Sequence, residues 1–224
     1  DGDGLSIGGN HMIHSLRRNV DMKIVLFNNE IYGLTKGQYS PTSPRGLRTK
    51  TTPFGSVDAP FNPVQLALGA GASFVARTMD VRPRHLKAVM KAAAEHKGAA
   101  FVEVWQNCVI FNDGCFKGWT EKAVRDELTI DLQHGEPMIY GKDKDKGLKV
   151  DGCSVSVVSP EEATVWDAHS DCPSTAFTIA QLDRNPELPR FMGVLRQIEQ
   201  PTLDELIHEQ VTSVRDTRGT GHLK

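Results

Sequence analysis

The sequence contains no apolar run near the roughly 20 residues that a membrane-spanning helix needs, and no segment with the order of a secretory signal peptide. A soluble, cytoplasmic protein is the expectation. An excess of charge of one sign is missing too: 26 Lys and Arg stand against 28 Asp and Glu, a formal net charge of −2. No global field draws such a chain to nucleic acid or to an anionic membrane. Cysteine is sparse, and Cys108, Cys115, Cys153 and Cys172 form neither a CxxC pair nor the dense framework of a disulfide-stapled domain. Taken alone, each is a small buried hydrophobe or an inert thiol. Internal repeats and low-complexity tracts are lacking as well. What is present is 39% hydrophobic content over 224 residues, enough for one large domain or a domain with an appendage. The first residue is Asp rather than Met, and no strand precedes the Gly-rich opening, so a piece of a longer polypeptide is expected.

Leu5, Met12, Ile13 and Leu16 recur at near-helical spacing up to Arg18, and Gly8 and Gly9 permit close packing, which predicts a helix leaving a Gly-rich turn. Met22 to Phe27 (MKIVLF) is a continuous apolar run of the kind found in parallel strands buried on both faces. Turn, helix and strand make one crossover of an α/β sheet. Residues 28–61 are rich in Gly, Pro, Ser and Thr and include Pro41-Thr42-Ser43-Pro44 and Thr51-Thr52-Pro53, which predicts a long loop. Loops of that length in compact domains are usually functional. The rhythm then resumes with helix Val64 to Leu68, strand Ser73 to Ala76, helix Pro83 to His96 and strand Ala99 to Val104. Pro63 and Pro83 suit first-turn helix positions, and Gly98 suits a helix stop.

Beyond Gln106 the pattern weakens. It predicts a helix over Thr120 to Leu132 and a hairpin over Met138 to Val150 that turns at the charged stretch Lys142 to Gly147, a solvated loop. Across the last seventy or so residues it predicts short helices and loops in a tail packed on the core or on another subunit. The expected fold is therefore α/β, a mostly parallel sheet with helices on both faces and an irregular C-terminal extension. Residues 1–118 form the core of that scheme and residues 119–224 the extension.

Two short motifs carry chemistry. A Mg²⁺-diphosphate needs hard oxygen ligands in octahedral geometry and backbone N–H groups facing the phosphate oxygens. Asp1-Gly2-Asp3-Gly4 offers a carboxylate from Asp1, with Gly2, Asp3 and Gly4 letting the backbone come close. A second ligand must come from another strand end, because ligands of open α/β sheets gather outside the carboxyl ends of strands. Asn28-Asn29 lies there, 28 residues from Asp1, so that Asn29 supplies its side-chain oxygen and Ile31 its backbone carbonyl.

The run DGDGLSIGGNHMIHSLRRNVDMKIVLFNNEIYGLTKGQYSPTS, continued by DAPFNPVQLALGAGASFVAR and FVEVWQNCVIFNDG, resembles the thiamine diphosphate segment of the β subunit of 2-oxoacid:ferredoxin oxidoreductases. The resemblance covers about the first half of the chain. It fades into EPMIYGKDKDKGL, which is similar to the 2-oxoglutarate branch, and beyond Asp151 nothing is recognised. It implies the thiamine diphosphate-binding fold, with Mg²⁺ on Asp1, Asn29 and Ile31 and the cofactor against Gly2, Asp3, Gly4, Asn28, Asn29, Ile31, Tyr32, Gly33 and Leu34. The segment from Ile31 to Gln38 resembles the loop beside the thiazolium. Lys36 would meet the substrate there, with Thr35 and His11 as weaker polar candidates. Leu34 stands where pyruvate-specific relatives tend to carry a polar residue, which favours a larger acid such as 2-oxoglutarate. The family motif carries a glycine before its aspartate, and this sequence begins just after it.

The resemblance also changes the status of Cys108, which matches the cysteine that completes a 4Fe-4S cluster in the family. Four thiolates are needed, so three would lie outside this segment, and Cys115, Cys153 and Cys172 match no ligand position. The implied reaction is oxidative decarboxylation of a 2-oxoacid to its acyl-CoA, with electrons passing through the cluster to ferredoxin and coenzyme A as cosubstrate. The implied partners are an α subunit and ferredoxin in a hetero-oligomer. The glutamate that activates the aminopyrimidine is not evident. Two alternatives stand beside this one: a redox-independent thiamine diphosphate decarboxylase or synthase, which shares the metal motif, and a non-catalytic fragment that binds Mg²⁺-diphosphate.

Overall fold

In a computed structural model, which describes residues 1–221, the chain begins with a single helical turn, α1 (Gly2–Leu5), and a second helix, α2 (Gly9–Arg17). The predicted helix is thus interrupted at residues 6–8, where the Gly8 N–H donates to the Asp3 carbonyl at 2.8 Å. Strand β1 (Lys23–Asn28) follows, and after it the long loop contains no helix or strand until α3 (Pro63–Gly69). That helix starts as its sequence requires. The Asn62 side chain accepts a hydrogen bond from the Gln65 N–H at 3.0 Å, and Pro63 occupies the first turn. The chain continues through β2 (Phe74–Met79), α4 (Pro83–Glu95) and β3 (Ala100–Trp105).

β1, β3 and β2 lie side by side and parallel, and every residue of β2 and β3 is buried. Alternation sorts their side chains onto two faces. Val75 and Phe101 pack with Leu16, Val64 and Leu68 of α2 and α3, while Phe74, Ala76, Val102 and Val104 pack with Val89 and Ala93 of α4. Helices therefore cover both faces, as expected.

The second half departs from expectation in two places. The amphipathic segment predicted as one helix to Leu132 forms α5 (Lys117–Thr120) and α6 (Lys122–Leu128), and then turns into strand β4 (Thr129–Leu132). Tertiary pairing overrides helical periodicity there, because Thr129 to Leu132 finds a parallel partner in Arg190 to Gly193. The predicted hairpin is present as β5 (Ile139–Tyr140) and β6 (Lys146–Asp151), and an unforeseen β7 (Ser154–Val158) extends it to a three-stranded antiparallel sheet. Short helices, including α7 (Ser174–Ala180), do occupy the stretch that follows. From it emerges β8 (Arg190–Gln197), which enters the main sheet between β2 and β4, antiparallel to β2, giving the order β1-β3-β2-β8-β4. A chain tail of low periodicity thus contains an interior strand. Its apolar residues Phe191 and Leu195 join the same core as Ile179 of α7.

Helix α8 (Leu203–Arg218) closes the described chain and buries none of its residues. Its start is fixed by a capping box between Thr202 and Glu205 and by the amide of buried Asn19, which donates to the carbonyls of Gln200 and Pro201 at 3.1 and 3.2 Å.

Gly193 adopts φ 98°, and a Cβ there would fall 2.4 Å from the Leu132 carbonyl oxygen. Both the backbone conformation and the space demand glycine. Gly193→Ala is expected to lower unfolding free energy by about 2–4 kcal/mol in denaturant titration. A loss under about 1 kcal/mol would contradict the packing of β8 against β4.

Candidate functional site

The carboxyl end of β1 and the opening turn meet at one cleft of about 480 Å³, lined by Asp1, Gly2, Asp3, Gly4, Asn29, Ile31, Tyr32, Gly33 and Leu34 among others. Nine of the residues named from the sequence are therefore neighbours in space. Asn28, Thr35, Lys36, His11 and Cys108 lie outside that lining.

The centre of the cleft is a convergence of oxygens. The Asn29 side-chain oxygen faces Asp1 Oδ1 at 3.2 Å and the Ile31 carbonyl oxygen at 2.9 Å, with no donor between them. An acceptor set against two others repels both unless a proton or a cation lies between them. Turning the amide over would place its NH₂ there. A small hard cation accounts for the arrangement with the amide as it stands, because metal–oxygen bonds of about 2.0–2.1 Å at right angles put neighbouring ligand oxygens about 2.8–3.0 Å apart. Among the described residues no three His, Cys, Asp or Glu side chains gather as a metal cluster, and this group differs in kind, with one carboxylate, one amide and one carbonyl.

The glycines of the opening turn serve packing. A Cβ on Gly2 would strike the Tyr32 ring at 2.3 Å, and the Tyr32 hydroxyl donates to the Gly2 carbonyl at 3.1 Å. One on Gly4 would meet Leu26 of β1 at 2.9 Å. The absence of side chains lets the turn lie flat on β1 and on the Tyr32 loop, which holds Asp1 opposite Asn29.

Residues 32–38 form a tight turn. The Tyr32 N–H donates to the Gln38 carbonyl at 2.9 Å, the Gly37 N–H donates to the Tyr32 carbonyl at 2.8 Å, and Lys36 takes φ 71°. Leu34, Thr35 and Lys36 are exposed at its tip, Leu34 to 90%, and His11 is exposed on α2. These groups point to solvent in the single chain.

Asn28 faces the other way. It is buried, and its Nδ2 donates to Glu103 Oε1 at 2.8 Å. Glu103 in turn accepts from Arg77 Nε at 2.6 Å, and Arg77 forks onto Asp183 at 2.9 and 2.7 Å. These side chains, with Trp105, Phe116 and Trp119, line a second cleft of about 470 Å³. The Glu30 carboxyl borders it too, and burial, reinforced by Glu103 and Asp183, pushes its pKa up to about 7.

Cys108 is half-buried in the loop after β3, where it bridges to Asn112. The Asn112 amide donates to the Asn29 carbonyl at 2.9 Å, tying this loop to the oxygen cluster. Cys115, nearby, is a different kind of thiol: burial and the Glu30 carboxylate push its pKa up to about 11.

Sequence reasoning missed Thr42, Arg77, Glu103 and Asn112. Arg77 and Glu103 left a signal, since each is a lone charge inside an apolar strand run, and the two are register partners on adjacent strands. Thr42 and Asn112 left none, because they sit in loops whose local sequence states only that the backbone turns.

Comparison with known proteins gives a consistent picture. The family described as thiamine pyrophosphate enzyme, C-terminal TPP binding domain, matches residues 1–104. The 2-oxoglutarate oxidoreductase subunit KorB of Mycobacterium tuberculosis is 46% identical over 99% of this chain and 60% of its own length. The 2-oxoglutarate synthase subunit KorB of Archaeoglobus fulgidus is 48% identical over 48% of the chain and 40% of its own. A solved structure, 2-oxoglutarate:ferredoxin oxidoreductase from Magnetococcus marinus with 2-oxoglutarate, coenzyme A and succinyl-CoA bound, superposes with a TM-score of 0.67 at 32% identity. It covers all of this chain and 61% of that one. The chain thus spans about three fifths of the length of the relatives it matches best along its own length. The residues beyond Asp151, unrecognised from sequence alone, fall within the mycobacterial and structural matches. By sequence and by fold the chain belongs to the β-subunit family of the 2-oxoacid:ferredoxin oxidoreductases.

Proposed function

We propose that this chain supplies the metal-diphosphate half of a thiamine diphosphate site in an enzyme that oxidatively decarboxylates 2-oxoglutarate to its acyl-CoA and passes electrons to ferredoxin. The observation that carries the proposal is the convergence of Asp1 Oδ1, the Asn29 side-chain oxygen and the Ile31 carbonyl. Those three oxygens would hold Mg²⁺, and the backbone of Gly2, Asp3 and Gly4 would lie along the diphosphate. Tyr32, Gly33 and Leu34 complete the wall of the cleft. Bound thiamine diphosphate supplies the nucleophilic carbon and the electron sink that decarboxylation of a 2-oxoacid requires.

The chain's own residues bind and orient. Asp1 neutralises the cation, and Asn29 and Ile31 set its geometry. Lys36 and Thr35, at the exposed tip beside the cleft, meet the carboxylate of the acid once a second subunit closes over them; His11 presents a further polar group from α2. An α subunit as the covering partner is supported by this exposure and by the subunit names of the relatives. Cys108 would give one thiolate to a 4Fe-4S cluster whose other three ligands lie outside these 224 residues. Cys115 matches no ligand position of the family. Coenzyme A is the proposed acyl acceptor, and the M. marinus enzyme binds it. Among the described residues no helix is long and apolar enough to cross a membrane, in keeping with a cytoplasmic place of work.

In the complete enzyme, Asp1→Asn is expected to weaken Mg²⁺-dependent binding of thiamine diphosphate by roughly tenfold or more in calorimetry, the cost of losing a charged ligand. Binding equal to the parent would refute the metal assignment. Lys36→Ala is expected to lower kcat/KM for 2-oxoglutarate by roughly 10- to 100-fold while cofactor affinity holds, as for loss of a charge-assisted contact. Kinetics equal to the parent would return Lys36 to an ordinary surface role. Cys108→Ser should abolish the visible absorbance of the cluster, whereas Cys115→Ser should leave it intact. The reverse pattern would overturn the ligand choice.

A further inference from the structure

Beyond the ligands, the structure shows how the Asp1 carboxylate is aimed. We propose that Thr42, buried beside Asn28, is the positioning residue that turns Asp1 Oδ1 toward the cation by binding Oδ2. This rests on the metal assignment above.

A carboxylate on a free side chain presents either oxygen, or both, to a cation. Here the two are made unlike. Oδ1 faces the Asn29 oxygen, while Oδ2 lies 2.7 Å from the Thr42 hydroxyl. Thr42 is buried, although it sits within the long loop. Its hydroxyl has one proton and three oxygen neighbours: Asp1 Oδ2, Asn28 Oδ1 at 2.9 Å and Ser40 Oγ at 3.1 Å. The direction of that proton follows from what surrounds it.

Ser43 Oγ donates to the Glu30 carbonyl, so the Ser40 hydroxyl is the donor between those two serines and has Ser43 Oγ at 3.3 Å and Thr42 Oγ1 at 3.1 Å as its acceptors. Asn28 offers its oxygen and not its NH₂ to Thr42, because Nδ2 is committed to Glu103 Oε1. That oxygen already accepts from the Glu30 N–H at 3.2 Å. The Thr42 proton therefore goes to the nearer, charged acceptor, Asp1 Oδ2. Glu103 in turn accepts three hydrogen bonds. Oε1 accepts from Asn28 and from Trp105 Nε1, and Oε2 accepts from Arg77 Nε. With both partners about 1% exposed, the Arg77–Glu103 pair cannot reorient without breaking. The Arg77–Glu103 pair thus fixes the Asn28 amide, whose Nδ2 donates to Glu103 and whose oxygen is left as an acceptor beside Thr42.

A positioning role separates from a merely structural one by which substitutions restore it. The test uses the complete enzyme, freed of metal and titrated with Mn²⁺ in the presence of thiamine diphosphate, with free Mn²⁺ read by electron paramagnetic resonance. Thr42→Val keeps the shape and deletes the hydroxyl. It is expected to weaken Mn²⁺ binding by roughly 10- to 100-fold, the usual effect of removing a group that orients a metal ligand. Thr42→Ser, which keeps the hydroxyl, is expected to bind as the parent does. In an Asp1→Asn background, Thr42→Val is expected to add little, because its route to the metal is already lost. Parent-like binding by Thr42→Val, a Thr42→Ser variant as weak as Thr42→Val, or full additivity with Asp1→Asn would each overturn the proposal. If Asp1→Asn itself binds Mn²⁺ as the parent does, the metal assignment is what fails.

Discussion

An ion pair between two strands holds this site in place. Arg77 on β2 and Glu103 on β3 are register partners, each the one charged residue of its strand, and neither reaches solvent. Charges in such a setting are tolerated only when every lone pair and proton is used, and removing one partner of a buried pair typically costs about 3–5 kcal/mol. Here Arg77 donates three hydrogen bonds and Glu103 accepts three. Arg77 also engages Asp183, which precedes β8, so one guanidinium joins the parallel half of the sheet to the strand inserted from the far end of the chain. Its position under the carboxyl ends of the strands makes the same interaction the floor on which Asn28 is set.

Above that floor, the loops bearing the site are bound to each other more than to the core. Glu30 takes φ 57°, in the left-handed region that costs a side-chain-bearing residue about 1–2 kcal/mol. This turn brings the Ile31 carbonyl around toward Asn29. The conformation is kept by bonds from both sides: Ser43 Oγ donates to the Glu30 carbonyl at 2.5 Å, and the Asn112 amide reaches the Asn29 carbonyl. The long loop after β1 and the cysteine loop after β3 therefore meet at two consecutive peptide groups of the oxygen cluster. A shift in the loop of Cys108 would be felt at Asn29, and the reverse.

The parts of this arrangement that were legible in the sequence are those with a local cause. Apolar runs such as KIVLFN and AFVEVW can hardly be anything but buried strands, and Pro63, Pro83 and Asn62 mark helix starts by their own stereochemistry. The Asp1 and Asn29 pair was legible because the crossover between them has a standard length. β4 and β8 were not legible, since β4 becomes a strand only by pairing with β8, and β8 by pairing with β4 and β2. Thr42 was hidden for a similar reason. In the sequence it is one more turn-forming residue between two prolines, and its role arises only when the loop folds back 41 positions to touch Asp1.

The insertion of β8 also sets an order of events during synthesis. Phe74 of β2 pairs with Gln197, 123 residues later. At roughly 5–20 residues per second, a ribosome needs about 6–25 seconds to deliver that partner. Throughout this interval the edge of β2, with Phe74, Val75, Ala76 and Met79 about Arg77 and Thr78, is open to hydrogen bonding and is a template for strands of other chains. A nascent polypeptide of this kind depends on something to shield it, whether a chaperone or the early docking of α4 over β2 and β3, before its last strand can close the sheet.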